Sequence, residues 1–405
     1  MTFALAWSKA NPLIEDPMAV FVYLTVVVGA IFMLGESKNN VLQKIFHYAP
    51  PLIWTYFIPM LSTTFAIIPQ ESTLYGFVST YILPVGLLLL LLSANVPATL
   101  RLGPKALLMF LAGTIGVIIG GPIALAIFQP WLPADAWTGV AALAGSWIGG
   151  SANMAAMIEA VGTPKEILSP IIVVDTVVGY SWMGIMIFLA GFQHKFNKWN
   201  KADDSVIQSV NKEMNDIQRK NERPIQVPQL LGLLGLAFGV SYIVLKISEN
   251  LPQSAVLSTT TWTVMIISAI GILFSFTPIK KLEGYGASKV GYTAIYLLLA
   301  TIGARADLTY VVDSPQYVLM GIVWLSIHIL VIFIAARLLR APLFFVAVGS
   351  QGNIGGTSSA PIVASVFQPS LAPVGLLMGI VGNVVGSYAA VLCAQLAKMV
   401  ATMLL

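Results

Sequence analysis

The feature that most limits what this chain can fold into is a succession of apolar segments of membrane-crossing length, separated by short polar breaks. They lie near residues 18–34, 51–68, 75–92, 106–128 and 167–192, and again near 230–245, 262–276, 292–302, 317–339 and 374–397. About 17 to 25 apolar residues carry a helix across the hydrocarbon core of a bilayer. Lipid offers no water to the backbone, so only helices or closed barrels can satisfy every N–H and C=O there. The segments lack the alternation of an outer-membrane barrel, which leaves bundled helices. Composition agrees, with 57% hydrophobic and 9% charged residues against about a quarter charged in soluble domains. The chain therefore reads as an all-α, multi-pass protein of the cell (inner or plasma) membrane, with the bilayer as its surroundings. Its start, MTFALAWSKANPLIEDP, lacks the pattern of a removable signal peptide, so insertion is expected to begin with the first span.

Several classes drop out. Cys393 is the only cysteine and there are three histidines, His47, His194 and His328. An intrachain disulfide is impossible and a zinc cluster is not expected. The net charge of +4 fits basic cytoplasmic loops, and no nucleic-acid partner is expected. No nucleophile and base occur at a recognisable spacing and no phosphate-binding loop is present, so neither an enzyme nor an ATP-driven pump is expected, and no cofactor.

A polar stretch over residues 193–228 divides the chain into halves, 1–192 and 229–405, each with the same order of segments. The halves also share residues. Ile148-Gly149-Gly150-Ser151 matches Ile354-Gly355-Gly356-Thr357, and Val177-Val178-Gly179 matches Val384-Val385-Gly386, with 29 and 30 residues from the first Ile to the first Val. Two ordered matches at near-equal spacing point to an internal repeat.

The Gly-rich elements around Gly149 and Gly355 either cross the membrane or enter and return as hairpins, and positive charge decides between these. With both as hairpins, the inside holds Lys38, Lys44, Arg101, Lys105, Lys195, Lys198, Lys201, Lys212, Arg219, Lys220, Arg223, Lys280, Lys281, Lys289, Arg337 and Arg340. Outside fall Lys9, Lys165, Lys246, Arg305 and Lys398. Crossing elements would erase that bias. Each half then has five spans plus one re-entrant hairpin, an odd number of crossings, so the second half is inverted relative to the first. The termini are expected outside, the linker in the cytoplasm, and the hairpin tips together near the midplane.

Irregular backbone at membrane depth survives only where protein or a water-filled cavity satisfies it. Gly149, Gly150, Gly355 and Gly356 permit bare backbone beside a ligand, and the helices resuming after them present free N–H groups. Ser151, Asn153, Gln351, Asn353, Thr357, Ser358 and Ser359 add neutral donors and acceptors, completing the expected solute cradle. Helix packing alone explains one Gly-Gly pair, but not two of matching composition at equivalent places. Asp175, in IIVVDTVVGYSW, is an intramembrane carboxylate with no basic residue nearby in sequence. With Thr176 and the counterparts Gly382 and Asn383 it is expected to bind the coupling ion, Na⁺ through oxygens or a proton; Na⁺ at Asp175 is the one metal expected. Glu159 is expected near the outer surface, Arg305 and Asp307 to pair at a span end, and His328 to be neutral and donate to a neighbouring helix. Neither hairpin contains Lys or Arg, which favours a small monoanionic, zwitterionic or neutral solute.

The segments SQGNIGGTSSAPIVASVF and GNVVGSY, with GGSANMAA and VVDT in the first half, resemble the bacterial membrane-protein family named domain of unknown function 819. That family is grouped with cation–proton antiporters, bile-acid-type sodium symporters, and glutamate and 2-hydroxycarboxylate symporters. The resemblance implies a secondary transporter of elevator type that forms a homodimer, with the later elements of each half mobile and the first two spans a scaffold. The chain lacks the adjacent acid pair of electrogenic antiporters and the mid-membrane Arg of some carboxylate symporters, which argues against two-proton exchange and citrate-like solutes. The alternative class is a channel or passive facilitator, since small polar groups also line pores.

Overall fold

The computed structural model describes residues 11–48, 51–92, 102–202, 227–307, 314–368 and 371–404. Lys9, Arg101 and most of the polar linker, with Lys212, Arg219, Lys220 and Arg223, lie outside the described residues. Among the described residues the chain is helical and has no strand. The first half comprises α1 (Pro17–Gly35), α2 (Asn40–Tyr48), α3 (Pro51–Thr64), α4 (Thr73–Leu92, with a π-helical turn at Val78–Ile82), α5 (Pro104–Phe128), α6 (Ala136–Gly149), α7 (Ser151–Val161) and α8 (Lys165–Ala190). After α9 (Gln193–Asn200) the second half comprises α10 (Val227–Ser248), α11 (Thr259–Phe274), α12 (Ala287–Arg305), α13 (Gln316–Leu339), α14 (Leu343–Asn353), α15 (Gly356–Phe367) and α16 (Ala372–Leu404).

Local chemistry sets the helix ends. The Asp16 carboxylate accepts the Ala19 N–H at 2.8 Å and Pro17 opens α1, while Ser258 and Thr261 form a capping box on α11. Among the described residues, eight helices are long and apolar enough to cross a membrane alone, where ten spans were expected. The two that fall short are α3 and α11, the second element of each half. Residues 65–68 leave helical geometry at Ala66, whose φ is +53°, and α11 gives way to a 3₁₀ turn at Pro278–Tyr285 bent by 97°.

The helices pack as two groups. In one, α12 lies against α3 and α4, α11 against α4, and α10 against α11. In the other, α13 lies along α5, and α16 runs past α5, α6 and α15. Close approach uses small residues: a Cβ on Gly86 would sit 3.0 Å from Ile295, and one on Gly116 2.9 Å from the His328 Cα. The third span of each half thus joins this group, α4 packing on α10 and α11 and α12 on α1 and α3, the first two spans of the opposite half. The beginning of the polar linker is structured: α9 buries Asn197, whose Oδ1 accepts the Leu343 N–H at 2.9 Å, and Asn200, whose Nδ2 donates to the carbonyls of Ala336 and Ala341. These side chains pair the Leu343 N–H and the Ala341 carbonyl at the junction of α13 and α14 and add a bond to the Ala336 carbonyl, which also accepts the Arg340 and Ala341 N–H groups.

Candidate functional site

Both Gly-rich elements are helical hairpins. In the first, α6 breaks at Gly150, with φ +86°, and α7 doubles back, so that the Thr163 hydroxyl donates to the Thr138 carbonyl and a Cβ on Gly145 would lie 2.6 Å from the Asn153 carbonyl. In the second, α14 breaks at Ile354, Gly355 and Gly356 take φ of +107° and +55°, and Phe344 at its start meets Phe367 at its end, centroids 5.5 Å apart. L-residues rarely adopt such φ values, which is why these turns carry glycine. The tips touch: a Cβ on Gly356 would lie 3.1 Å from the Gly149 carbonyl oxygen. Helix α16 passes over both, with Gly382 so close that a Cβ would sit 2.6 Å from the Gly352 oxygen and 3.0 Å from the Gly149 Cα.

Two cavities flank this crossing, sharing Gly150, Ser151 and Gly355. The first, about 390 Å³ out to its mouth, is lined by Ser146, Asp175, Gln351 and Ser359 and by apolar Leu52, Met183 and Ile354, with Gly179 and Tyr180 beside Asp175. Asp175 is the charged residue in its lining. The Ser146 and Trp147 side chains lie beside the carboxyl, though the buried Trp147 indole N–H closes no hydrogen bond of good geometry. The second cavity, about 330 Å³, holds Thr357, Ser358 and Asn383 facing Tyr292 and Tyr296 of α12, and its lining carries no charge. There the Thr357 and Tyr292 hydroxyls are 2.7 Å apart.

Not every expected ligand reaches a cavity. Asn153 is buried: its Nδ2 donates to the Gly382 carbonyl at 3.4 Å and its Oδ1 accepts the Ser387 hydroxyl at 3.0 Å. Asn353 is buried too, donating to the carbonyls of Phe110 and Gly349 and accepting from Thr114. Each ties its hairpin to a neighbouring helix. Thr176 lies outside both linings, and Gly382 has backbone against it and no room for a ligand. Among the described residues no three His, Cys, Asp or Glu side chains gather to hold a metal.

One polar chain was not anticipated in full. The Trp182 indole donates to the Ser350 Oγ at 2.8 Å, and Ser350 lies 2.8 Å from the His328 Nε2. The His328 Nδ1 is 2.9 Å from the Gly113 carbonyl. A carbonyl can only accept, so Nδ1 carries the hydrogen and the Nε2 lone pair takes the Ser350 proton. His328 thus donates to a neighbouring helix, as expected, and through Ser350 it locks α14 to α5, α8 and α13. Arg305 reaches Glu159 across the two helix groups, a pairing the sequence reading had not made.

Comparison with known proteins places this arrangement in a family. The chain is 26% identical over 345 residues to the "Uncharacterized membrane protein YjcL" of Bacillus subtilis (strain 168), covering 81% of this chain and 85% of that protein. Residues 22–400 match the family described as protein of unknown function (DUF819), and the chain belongs to that family.

Proposed function

We propose that the protein is a secondary active transporter that moves a small organic solute coupled to Na⁺ or H⁺. The observation that carries this reading is the meeting of two helical hairpins, tip to tip, beside one carboxylate in a cavity. Broken helices that face each other in this way supply free N–H groups for a solute and free carbonyls for a cation. Asp175 is the cation ligand in this reading, and Ser151, Gln351 and Ser359 beside it in the same cavity are the neutral groups that serve the solute.

The inverted repeat is supported by contacts that recur between the halves. Gly179 packs against Ile354, and its counterpart Gly386 packs against Ile148; Asp175 lies beside Ser146, and its counterpart Gly382 lies against Gly352. In an elevator mechanism α5–α8 and α13–α16 would move as one body against a scaffold of α1, α3, α4 and α10–α12, the division along which the helices pack.

Polar bonds between the two groups gather where α7 ends and α8 begins. Arg305 pairs with Glu159, Ser258 donates to the Ala160 carbonyl, the Asp307 N–H donates to Ser169, and Lys165 donates to Gln70. On the charge bias that end faces outside, so this conformation is shut outward. Glu159→Gln is expected to shift the equilibrium toward outward-open by about fivefold, the worth of about 1 kcal/mol for a partly exposed pair. Labelling of Ser151→Cys by an impermeant thiol reagent added outside reads this, and unchanged labelling argues against a gate there.

The test of the whole reading is uptake by purified protein in liposomes. Saturable uptake that stops when the Na⁺ or proton gradient is removed supports a transporter; gradient-independent, non-saturating flux supports the channel.

A further inference from the structure

Gln351 stands in the last turn of α14 and is 0% exposed. Its Oε1 accepts the Ser359 hydroxyl at 2.8 Å, and the Ile354 carbonyl lies 3.3 Å from the same hydroxyl. The Nε2 group, buried and lining the first cavity, has no hydrogen-bond partner. A buried donor left without an acceptor is costly and rare in folded proteins. An amide nitrogen only donates, so it cannot ligate the cation that Asp175 serves. The unfilled acceptor position therefore belongs to something else that enters this cavity.

We propose that Gln351 is the solute-reading residue, donating its Nε2 hydrogens to a carboxylate oxygen, and that the transported solute is a small monocarboxylate. This assignment rests on the coupled-transport reading. One feature selects a carboxylate over a neutral carbonyl: the start of α7 at Ser151 lines the same cavity, and a helix start favours negative charge, while a cation at Asp175 removes the repulsion that its carboxylate would exert. The absence of Lys and Arg from both hairpins limits the solute to a single carboxylate. Its remainder would rest on Leu52, Met183 and Ile354, which line the apolar side of the cavity.

The roles divide within one cavity. Asp175 holds the coupling cation, Gln351 holds the anionic oxygen, and Ser359 positions Gln351 without touching the solute carboxylate.

The experiment measures the melting temperature of the purified full-length protein with acetate, propanoate, pyruvate and L-alanine, each with and without Na⁺ and at two pH values. Ligand stabilisation scales with concentration over Kd, so titration gives an apparent affinity. At least one of these acids is expected to stabilise the wild type, and its amide to do so less. Gln351→Met should weaken that acid by about ten- to hundredfold, the worth of a hydrogen bond to a charged group, while keeping the response to Na⁺ or pH. Asp175→Asn should lose the Na⁺ or pH response.

No stabilisation of wild type by any of the four acids overturns the proposal. So does Gln351→Met binding within about twofold of wild type, or losing the cation response in place of the acid response. Should Gln351→Met fail to purify as a single species, Ser359→Ala releases the amide, and an unchanged acid affinity in that variant also overturns the proposal. An acid response that depends on Gln351 in a wild type indifferent to Na⁺ and pH would sink the coupled-transport reading and leave the role of Gln351 standing.

Discussion

Asp175→Asn is expected to abolish gradient-driven uptake in liposomes while the protein still inserts and purifies as wild type. The carboxylate lies in the middle of α8, in a cavity whose described lining has no opposite charge. A cation that loses this partner inside the membrane loses about 3–5 kcal/mol, so coupled uptake should fall by on the order of a hundredfold or more. Asn has nearly the same shape and carries no charge to desolvate. Thermal stability in the absence of ions should therefore equal or exceed that of wild type, which separates a lost site from a lost fold. Normal gradient-driven uptake by the variant would remove Asp175 from the mechanism.

Gly382→Ala is expected to destabilise the fold. A methyl group there would lie 2.6 Å from the Gly352 oxygen and 3.0 Å from the Gly149 Cα and the Ile148 oxygen. All of these are backbone atoms of the two hairpins, and no rotamer change can move them aside. Overpacking typically costs about 1–3 kcal/mol, and the upper end applies where only the main chain can yield. Gly232→Ala on α10 is the control, since a Cβ there meets nothing within 4 Å. It should be neutral or stabilise by about 0.4–1 kcal/mol. Melting of the two variants in the same detergent decides the matter, and equal melting temperatures would show that the hairpins are not packed through Gly382. The same crowding explains why the counterpart of Asp175 is a glycine: α16 at that level rests on both hairpins and leaves no volume for a second carboxylate.

Several parts of this architecture were legible in the chain because they depend on residues close in sequence. The Gly-Gly pairs marked the two hairpin turns, which need φ values that side chains resist, and Asp175 stood out as a charge inside an apolar segment. Other parts depend on distant partners. Asn153 and Asn353 have the composition of solute ligands, but they are spent on Ser387 and Gly382 in one case and on Thr114 and Phe110 in the other. Gln351 looked the same in sequence and ended with its amide N–H groups unpartnered. Asn197 and Asn200 read as linker and became caps for another helix pair. The span ends at 65–68 and 275–276 were overrun because apolar residues continue past the point where the backbone turns.

What the sequence by itself determined is the membrane class, the helical spans and the placing of two hairpins. In lipid each span must satisfy its own backbone, so hydropathy and glycine position suffice. Only the tertiary structure decided which polar side chains remain available to a ligand. A buried hydrogen bond is made or left unmade by groups more than 200 residues apart, as Asn153 and Ser387 are, and that pairing is set by how the two halves pack.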